Sequence, residues 1–106
     1  MSRARLPNRR AHQLLEIEHA GIRYTVGIGR FADGGMAEIF INAPKTGTAA
    51  AVNAQDAAIS ASLLLQHGCS TETLRRALTR NPDGSAAGPL GTALDLLCGS
   101  QTEMRV

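Results

Sequence analysis

Residues 34–68, GGMAEIFINAPKTGTAAAVNAQDAAISASLLLQHG, decide the fold because three kinds of local structure follow one another in them. The apolar run at 36–41 is typical of a β-strand, and the segment at 42–48, with its Pro and Gly, is typical of a loop. The alanine-rich segment at 49–67 favours an α-helix, since alanine is the best helix former. Gly68 ends that helix as a C-terminal glycine.

Two further strands precede this unit. Apolar and polar residues alternate at 13–19 and again at 22–31, which is the pattern of half-buried strands. Ala20-Gly21 and Asp33-Gly34-Gly35 supply tight turns, and connections this short join antiparallel neighbours. The strand at 36–41 is apolar on nearly both faces, so we expect it to be central or covered.

Helices follow. Helical spacing predicts a short helix at 71–80 and another at 89–98. The predicted fold class is α+β, an antiparallel three-stranded meander followed by one long and two short helices packed on one sheet face. We expect one domain at 11–98, with a basic flexible arm at 1–10 and a frayed tail at 99–106.

The long helix needs an apolar face, and we predict which residues form it. Val52, Ile59 and Leu63 are spaced by seven and four, so they lie on one stripe and are predicted to be core residues. Gly27 and Gly29 share the sheet face opposite the apolar face of their strand. A close neighbour over these glycines is expected, and the long helix is the simplest candidate.

Length and composition limit the possible functions. A chain of 106 residues builds one core and has no room for a separate substrate domain. Aromatic residues make up only 3%, too few for a platform that stacks single-stranded nucleic acid. Cys69 and Cys98 form no CxxC motif, and no signal segment or membrane-length apolar run occurs. We therefore expect a cytoplasmic protein without metal, cofactor or membrane partner.

Basic side chains concentrate in the first ten residues, which hold four arginines and no acid, and on the exposed side of 71–80. Both are candidate sites for an acidic protein surface or a phosphate backbone. The alternative for the arm is a solvated terminus. The candidate partner-binding residues are Arg3, Arg5, Arg9, Arg10, Arg75, Arg76 and Arg80.

The loop before the long helix is a candidate anion site. Lys45, Thr46 and Thr48 lie beside a helix N-terminus, where backbone N–H groups favour negative charge. The loop differs from a phosphate-binding P-loop, because Lys45 precedes the glycine instead of following it. The alternative is an ordinary N-terminus that contacts only water.

Ionisable side chains do not form a catalytic set, so we expect no enzyme. Glu38 is either a buried carboxylate with a task or a strand residue paired with Arg23 or Arg30. A polar line on the long helix is either a site with His67 as base or a solvated face. Its members are Asn53, Asp56, Ser60 and His67. Cys69, just before a helix start, is either an activated thiol or a half-buried apolar residue.

Two longer strings, IRYTVGIGRFADGGMAEIFI at 22–41 and AISASLLLQHGCSTETLRRAL at 58–78, carry a family resemblance. Together with LPNRR at 6–10, they resemble the TSCPD domain over roughly residues 5–97. That domain is found at the C-terminus of bacterial vitamin B12-dependent ribonucleotide reductases and as short stand-alone proteins. The resemblance implies the fold and a link to nucleotide reduction.

The chain departs from that family in its cysteines. The Thr-Ser-Cys-Pro-Asp string that names the family is absent, as are the paired cysteines near the reductase C-terminus. The resemblance therefore implies an accessory or regulatory domain that binds a protein partner, either a reductase or another nucleic-acid enzyme. The alternatives are a small-ligand or nucleotide-binding module and a stand-alone mobile-element inhibitor that acts by binding. Nucleic acid and a second copy of the chain remain open as partners.

Overall fold

The fold is known from a computed structural model, which describes the backbone of residues 12–105 and the side chains of residues 13–98. Three strands are followed by three helices, and the predicted α+β architecture is confirmed. The elements are β1 His12–His19, β2 Ile22–Arg30, β3 Met36–Asn42, α1 Ala49–Gln66, α2 Thr71–Ala77 and α3 Pro89–Arg105. The arm with Arg3, Arg5, Arg9 and Arg10 lies outside the described residues.

The sheet is an antiparallel meander in the order β1-β2-β3. Ala20 and Gly21 both have positive φ, 51° and 80°, as a two-residue hairpin turn requires. The second connection is stabilised by the Asp33 carboxylate, which accepts a hydrogen bond from the Gly35 N–H at 2.9 Å. Because β3 comes last in the order β1-β2-β3, it is an edge strand of the sheet.

One face of the sheet forms the core. The register places most apolar residues of the three strands on this face, and α1 packs against β3 while α3 packs against β1. Leu65, Leu90 and Leu94 complete the core from the helices. The buried sheet residues on this face include Ile17, Tyr24, Val26, Ile28, Ile39 and Ile41.

The predicted core stripe of α1 is wrong. Its buried face consists mainly of alanines, whereas Val52 is 44% exposed, Ile59 57% and Leu63 42%. Both sets have helical spacing, but each residue turns the helix by about 100°, so Val52 lies a quarter-turn from Ala51. Methyl side chains let α1 approach the sheet closely, and the larger side chains point away from it. The buried residues of α1 are Ala51, Ala54, Ala58, Ala61, Leu65 and Gln66.

The glycine-rich face of the sheet does have close neighbours, but α1 is not among them. A Cβ on Gly27 would lie 3.4 Å from Leu14 Cδ2 and 3.6 Å from Phe40 Cδ2. A Cβ on Gly29 would lie 2.6 Å from Glu38 Oε1 and 2.7 Å from its Cγ. The expectation that the long helix covers these glycines is therefore corrected, because side chains of the neighbouring strands occupy that space.

The last two helices differ in length from their predicted ranges. α2 ends at Ala77, and the chain then forms an isolated bridge between Arg80 and Ala86. α3 continues to Arg105, beyond the predicted end at residue 98. Among the described helices, none combines the length and the apolar character needed to cross a bilayer.

Candidate functional site

A groove runs along the seam between β3 and α1, and we refer to it as the seam groove. Its volume is about 400 Å³. One wall is the edge strand from Glu38 to Asn42, and the other is the flank of α1 that faces it. The lining residues of α1 are Gln55, Ala58, Ile59, Ser62, Leu63 and Gln66.

Large apolar side chains project at the mouth of the seam groove. Phe40 of β3 is 46% exposed, and it lines the groove together with the exposed Ile59 and Leu63. Val52 continues the same row along α1, about two turns before Ile59. Exposing them leaves apolar surface in water, at a cost of about 25 cal/mol per Å² relative to burial. An apolar row along a groove is typical of a binding surface.

Side chains of α1 cap the free edge of β3 and form the floor of the seam groove. Ser62 Oγ accepts a hydrogen bond from the Ile39 N–H at 2.9 Å and donates one to the Ile39 carbonyl at 3.0 Å. Gln66 Nε2 donates to the Ala37 carbonyl at 3.0 Å. Four helical residues rise about 6 Å, close to the roughly 7 Å spanned by two strand residues, so the caps stay in register.

The strand and the helix that form the seam groove contain acidic and no basic residues. β3 and α1 contain no Lys or Arg, and their charged residues are Glu38 and Asp56. Glu38 is only 6% exposed and lies over Gly29. Asp56 is exposed on α1, four residues after Val52 and three before Ile59. The exposed negative charge at the apolar row therefore comes from Asp56.

Of the three residues predicted to bind an anion, Thr48 caps the start of α1. Thr48 is its N-cap, with Oγ1 accepting from the Ala51 N–H at 3.1 Å and donating to the Lys45 carbonyl at 3.3 Å. Lys45 and Thr46 are exposed, and Lys45 shares a shallow depression with Arg23. Thr48 thus has a structural role in the fold.

The arginines of the α2 region are held in ion pairs. Arg75 Nε donates to Asp95 Oδ1 at 2.8 Å and Arg80 binds both carboxylate oxygens, so Asp95 links α3 to the α2 segment. Glu72 pairs with Arg75 and Arg76. The hydrogen bonds from Arg80 and Arg75 hold the pKa of Asp95 well below its usual range, at about 2. Arg76 alone of the three has a largely exposed side chain.

The polar line on α1 is exposed to solvent along the helix. Asn53, Asp56, Ser60 and His67 are all exposed, and His67 is the C-cap residue. The two cysteines are free thiols, and burial raises the pKa of Cys98. Within the described part of the chain, no group of three His, Cys, Asp or Glu side chains could hold a metal ion.

His19, which sequence reasoning did not single out, ends β1 and contacts the start of α3. Its Nε2 lies 3.0 Å from the Ala87 carbonyl, and its Nδ1 lies 3.0 Å from Thr92 Oγ1. A carbonyl only accepts, so Nε2 carries the proton in that contact. The Thr92 hydroxyl also lies 2.9 Å from the Gly88 carbonyl. His19 therefore joins β1 to the start of α3.

The chain was compared with known proteins in three ways. Models of protein families, curated proteins and solved structures were all searched, and none of them matches this chain.

Proposed function

We propose that this protein is a non-catalytic accessory or regulatory domain that binds another protein through the seam groove. The observation that supports this function is the exposed apolar row of Phe40, Val52, Ile59 and Leu63. α1 packs against the sheet mainly with alanines and leaves Val52, Ile59 and Leu63 exposed. Aliphatic and aromatic side chains gathered along a groove bind protein surfaces in preference to water.

The identity of the first partner to test comes from the family resemblance. Similarity to the TSCPD domain supports a bacterial ribonucleotide reductase as that partner, and another nucleic-acid enzyme as the next. The same proposal places the protein in the cytoplasm, where free thiols such as Cys69 and Cys98 persist. Arg76 and the arginines of the arm are candidates for additional contacts with an acidic surface.

Site-specific crosslinking tests the proposed function. A photoreactive amino acid replaces Ile59 in one variant and Ser60, on the solvated face, in the matched control. We expect position 59 and not position 60 to crosslink one discrete protein in the native host. The purified partner should then bind the wild-type chain, and Ile59→Asp should weaken that complex at least about tenfold.

Two outcomes contradict the proposal. One is a complex with the purified partner that survives Ile59→Asp with unchanged affinity. The other is tight nucleotide binding, measured by calorimetry, in the Ile59→Asp variant, whose seam groove is disrupted. The second result would favour the alternative, a small-ligand or nucleotide-binding module. A mobile-element inhibitor also acts by binding protein, and the identity of the crosslinked protein separates it from a reductase accessory domain.

A further inference from the structure

We propose that the seam groove receives one amphipathic α-helix of the partner, and that Lys or Arg flank the apolar face of that helix. This inference rests on the proposed function, because it specifies what the protein-binding surface binds. It follows from the hydrogen bonds at the groove floor, the spacing of the apolar row, its area and the charge of its walls.

An extended peptide does not fit the floor of the groove. Strand addition needs free backbone N–H and C=O groups on the edge strand. In β3 the Ile39 N–H and C=O already bind Ser62, and the Ala37 carbonyl binds Gln66. A partner strand would have to displace both side chains of α1. The edge of β3 is therefore closed to strand pairing at these residues, and the groove offers side-chain contacts instead.

The dimensions of the groove suit a helix. Its α1 wall extends from Gln55 to Gln66, about 16 Å at 1.5 Å per residue, or three helical turns. Ile59 and Leu63 are one turn apart on α1, and Phe40 lines the same groove from β3. Apolar side chains at this spacing form ridges that fit between the i and i+4 side chains of a second helix. A helix of three or four turns would thus contact the whole apolar row.

The area of the row favours a single segment over a second copy of the chain. Four side chains that are each about half exposed present roughly 300–400 Å² of apolar surface. A stable interface between two folded proteins buries about 800 Å² on each side. Slightly more than half of such an interface is apolar, roughly 450 Å² on each side, so the row falls short of a two-protein interface, whereas a short helix laid in a groove covers an area of this size.

Charge complementarity determines whether the residues that flank the apolar face of the partner helix are basic or acidic. No Lys or Arg occurs in β3 or α1, and the Asp56 carboxylate is exposed next to Val52 and Ile59. A partner helix with basic residues on the flank beside Asp56 gains an attractive interaction, and an acidic flank is repelled. The complement of this groove is therefore a basic amphipathic helix.

Synthetic peptides of about 18 residues, or five turns, test this inference with the full-length protein. The first peptide has leucines three and four residues apart and lysines on both flanks. The second replaces every lysine by glutamate, and the third adds a central proline that breaks the helix. By fluorescence anisotropy we expect the first to bind at least about tenfold more tightly than either of the others.

Protein variants connect that binding to the groove. Ile59→Ser should weaken binding of the lysine peptide at least about tenfold, whereas the control Ser60→Ala should leave it unchanged. Asp56→Lys should remove the preference for lysine over glutamate. Asn53→Lys, which adds a positive charge about 100° around the helix from Val52, farther than Asp56 at about 40°, should preserve the preference. Circular dichroism verifies that each variant is folded.

Several results would overturn the inference while leaving the proposed function to its own crosslinking test. The first is equal binding of the proline peptide, which indicates an extended ligand. Equal or tighter binding of the glutamate peptide rejects the basic partner. Failure of all three peptides to bind rejects a helix of this kind. A dimer in analytical ultracentrifugation that Ile59→Ser dissociates shows that a second copy occupies the groove.

Discussion

Ser62 of α1 and Ile39 of β3 form a reciprocal pair, in which one hydroxyl satisfies both the N–H and the C=O of one strand residue. This arrangement solves a problem of the fold. β3 is an edge strand, and an uncovered edge leaves backbone groups that pair with other chains. A helix that covers such an edge must offer polar side chains at the correct height, and Ser62 and Gln66 do so.

Removing the Ser62 hydroxyl should destabilise the protein. In Ser62→Ala the part-buried Ile39 backbone loses both hydrogen bonds, so we expect the free energy of unfolding to fall by roughly 1–3 kcal/mol. Urea denaturation measures the change. Ser60→Ala, two residues earlier on the solvated face, is the control and should change stability by less than about 0.5 kcal/mol. Equal effects of the two substitutions would show that the cap contributes nothing specific.

The alanine face of α1 should tolerate enlargement poorly. Ala58 and Ala61 are 2% and 1% exposed, so Ala58→Leu or Ala61→Leu should push α1 from the sheet and cost roughly 1–3 kcal/mol. Ile59→Ala, beside Ala58 but exposed, should change stability by less than about 0.5 kcal/mol, since alanine is also the better helix former. Denaturation curves of the three variants compare them directly. A loss above about 2 kcal/mol for Ile59→Ala would place that side chain in the core.

These residues also mark how far sequence reasoning reaches. Alternation of apolar and polar residues and the glycine turns were enough to predict the meander, and alanine content was enough to predict α1. Periodicity could not decide which stripe of α1 is buried, since Val52, Ile59 and Leu63 have helical spacing just as the alanines do. That choice depends on the clearance between helix and sheet, which is a tertiary property.

The candidate site was less predictable than the fold for a similar reason. The seam groove joins Ile39 to Ser62, 23 residues apart, and its shape depends on how α1 lies along β3. Pairing of Arg75 with Asp95 spans 20 residues and makes Arg75 part of a half-buried ion-pair network instead of the predicted exposed ridge. A stripe of large apolar residues beside a stripe of alanines was visible in the sequence. Its meaning required knowledge of which stripe contacts the sheet.

Two glycines on the same sheet face should respond differently to a methyl group. In Gly29→Ala the new Cβ would overlap Glu38 Oε1 and Cγ, at 2.6 and 2.7 Å, so Glu38 must move and stability should fall by about 1–2 kcal/mol. In Gly27→Ala the nearest atom is Leu14 Cδ2 at 3.4 Å, an ordinary contact. That variant should be neutral or stabilised by up to about 1 kcal/mol, because glycine weakens strands.

Thermal unfolding of these variants measures both effects, and the double variant Gly29→Ala with Glu38→Ala isolates the overlap. Once Glu38 is shortened, the cost of Gly29→Ala should largely disappear. An unchanged cost in the Glu38→Ala background would mean that the penalty at Gly29 has another origin.

The ion pairs of Asp95 should make stability depend on pH in a predictable direction. Its folded-state pKa of about 2 lies below the value of about 3.9 expected for an unfolded chain. A carboxylate with a lowered pKa stabilises the fold fully above the unfolded value, and this contribution is lost as the pH falls through about 4 towards 2. Asp95→Asn should therefore cost roughly 1–2 kcal/mol near neutral pH, and the difference from wild type should shrink over that acidic range.

Urea denaturation at neutral pH and at about pH 3 and 2 tests this dependence, and Arg80→Met provides the matched comparison. With Asp95 present, Arg80→Met removes hydrogen bonds to both carboxylate oxygens and should destabilise the protein. In the Asp95→Asn background, Arg80→Met should lower stability much less, because the negative charge that Arg80 pairs with is already gone. If Asp95→Asn differed from wild type by the same amount at every pH, the carboxylate would not be the group that stabilises the junction of α2 and α3.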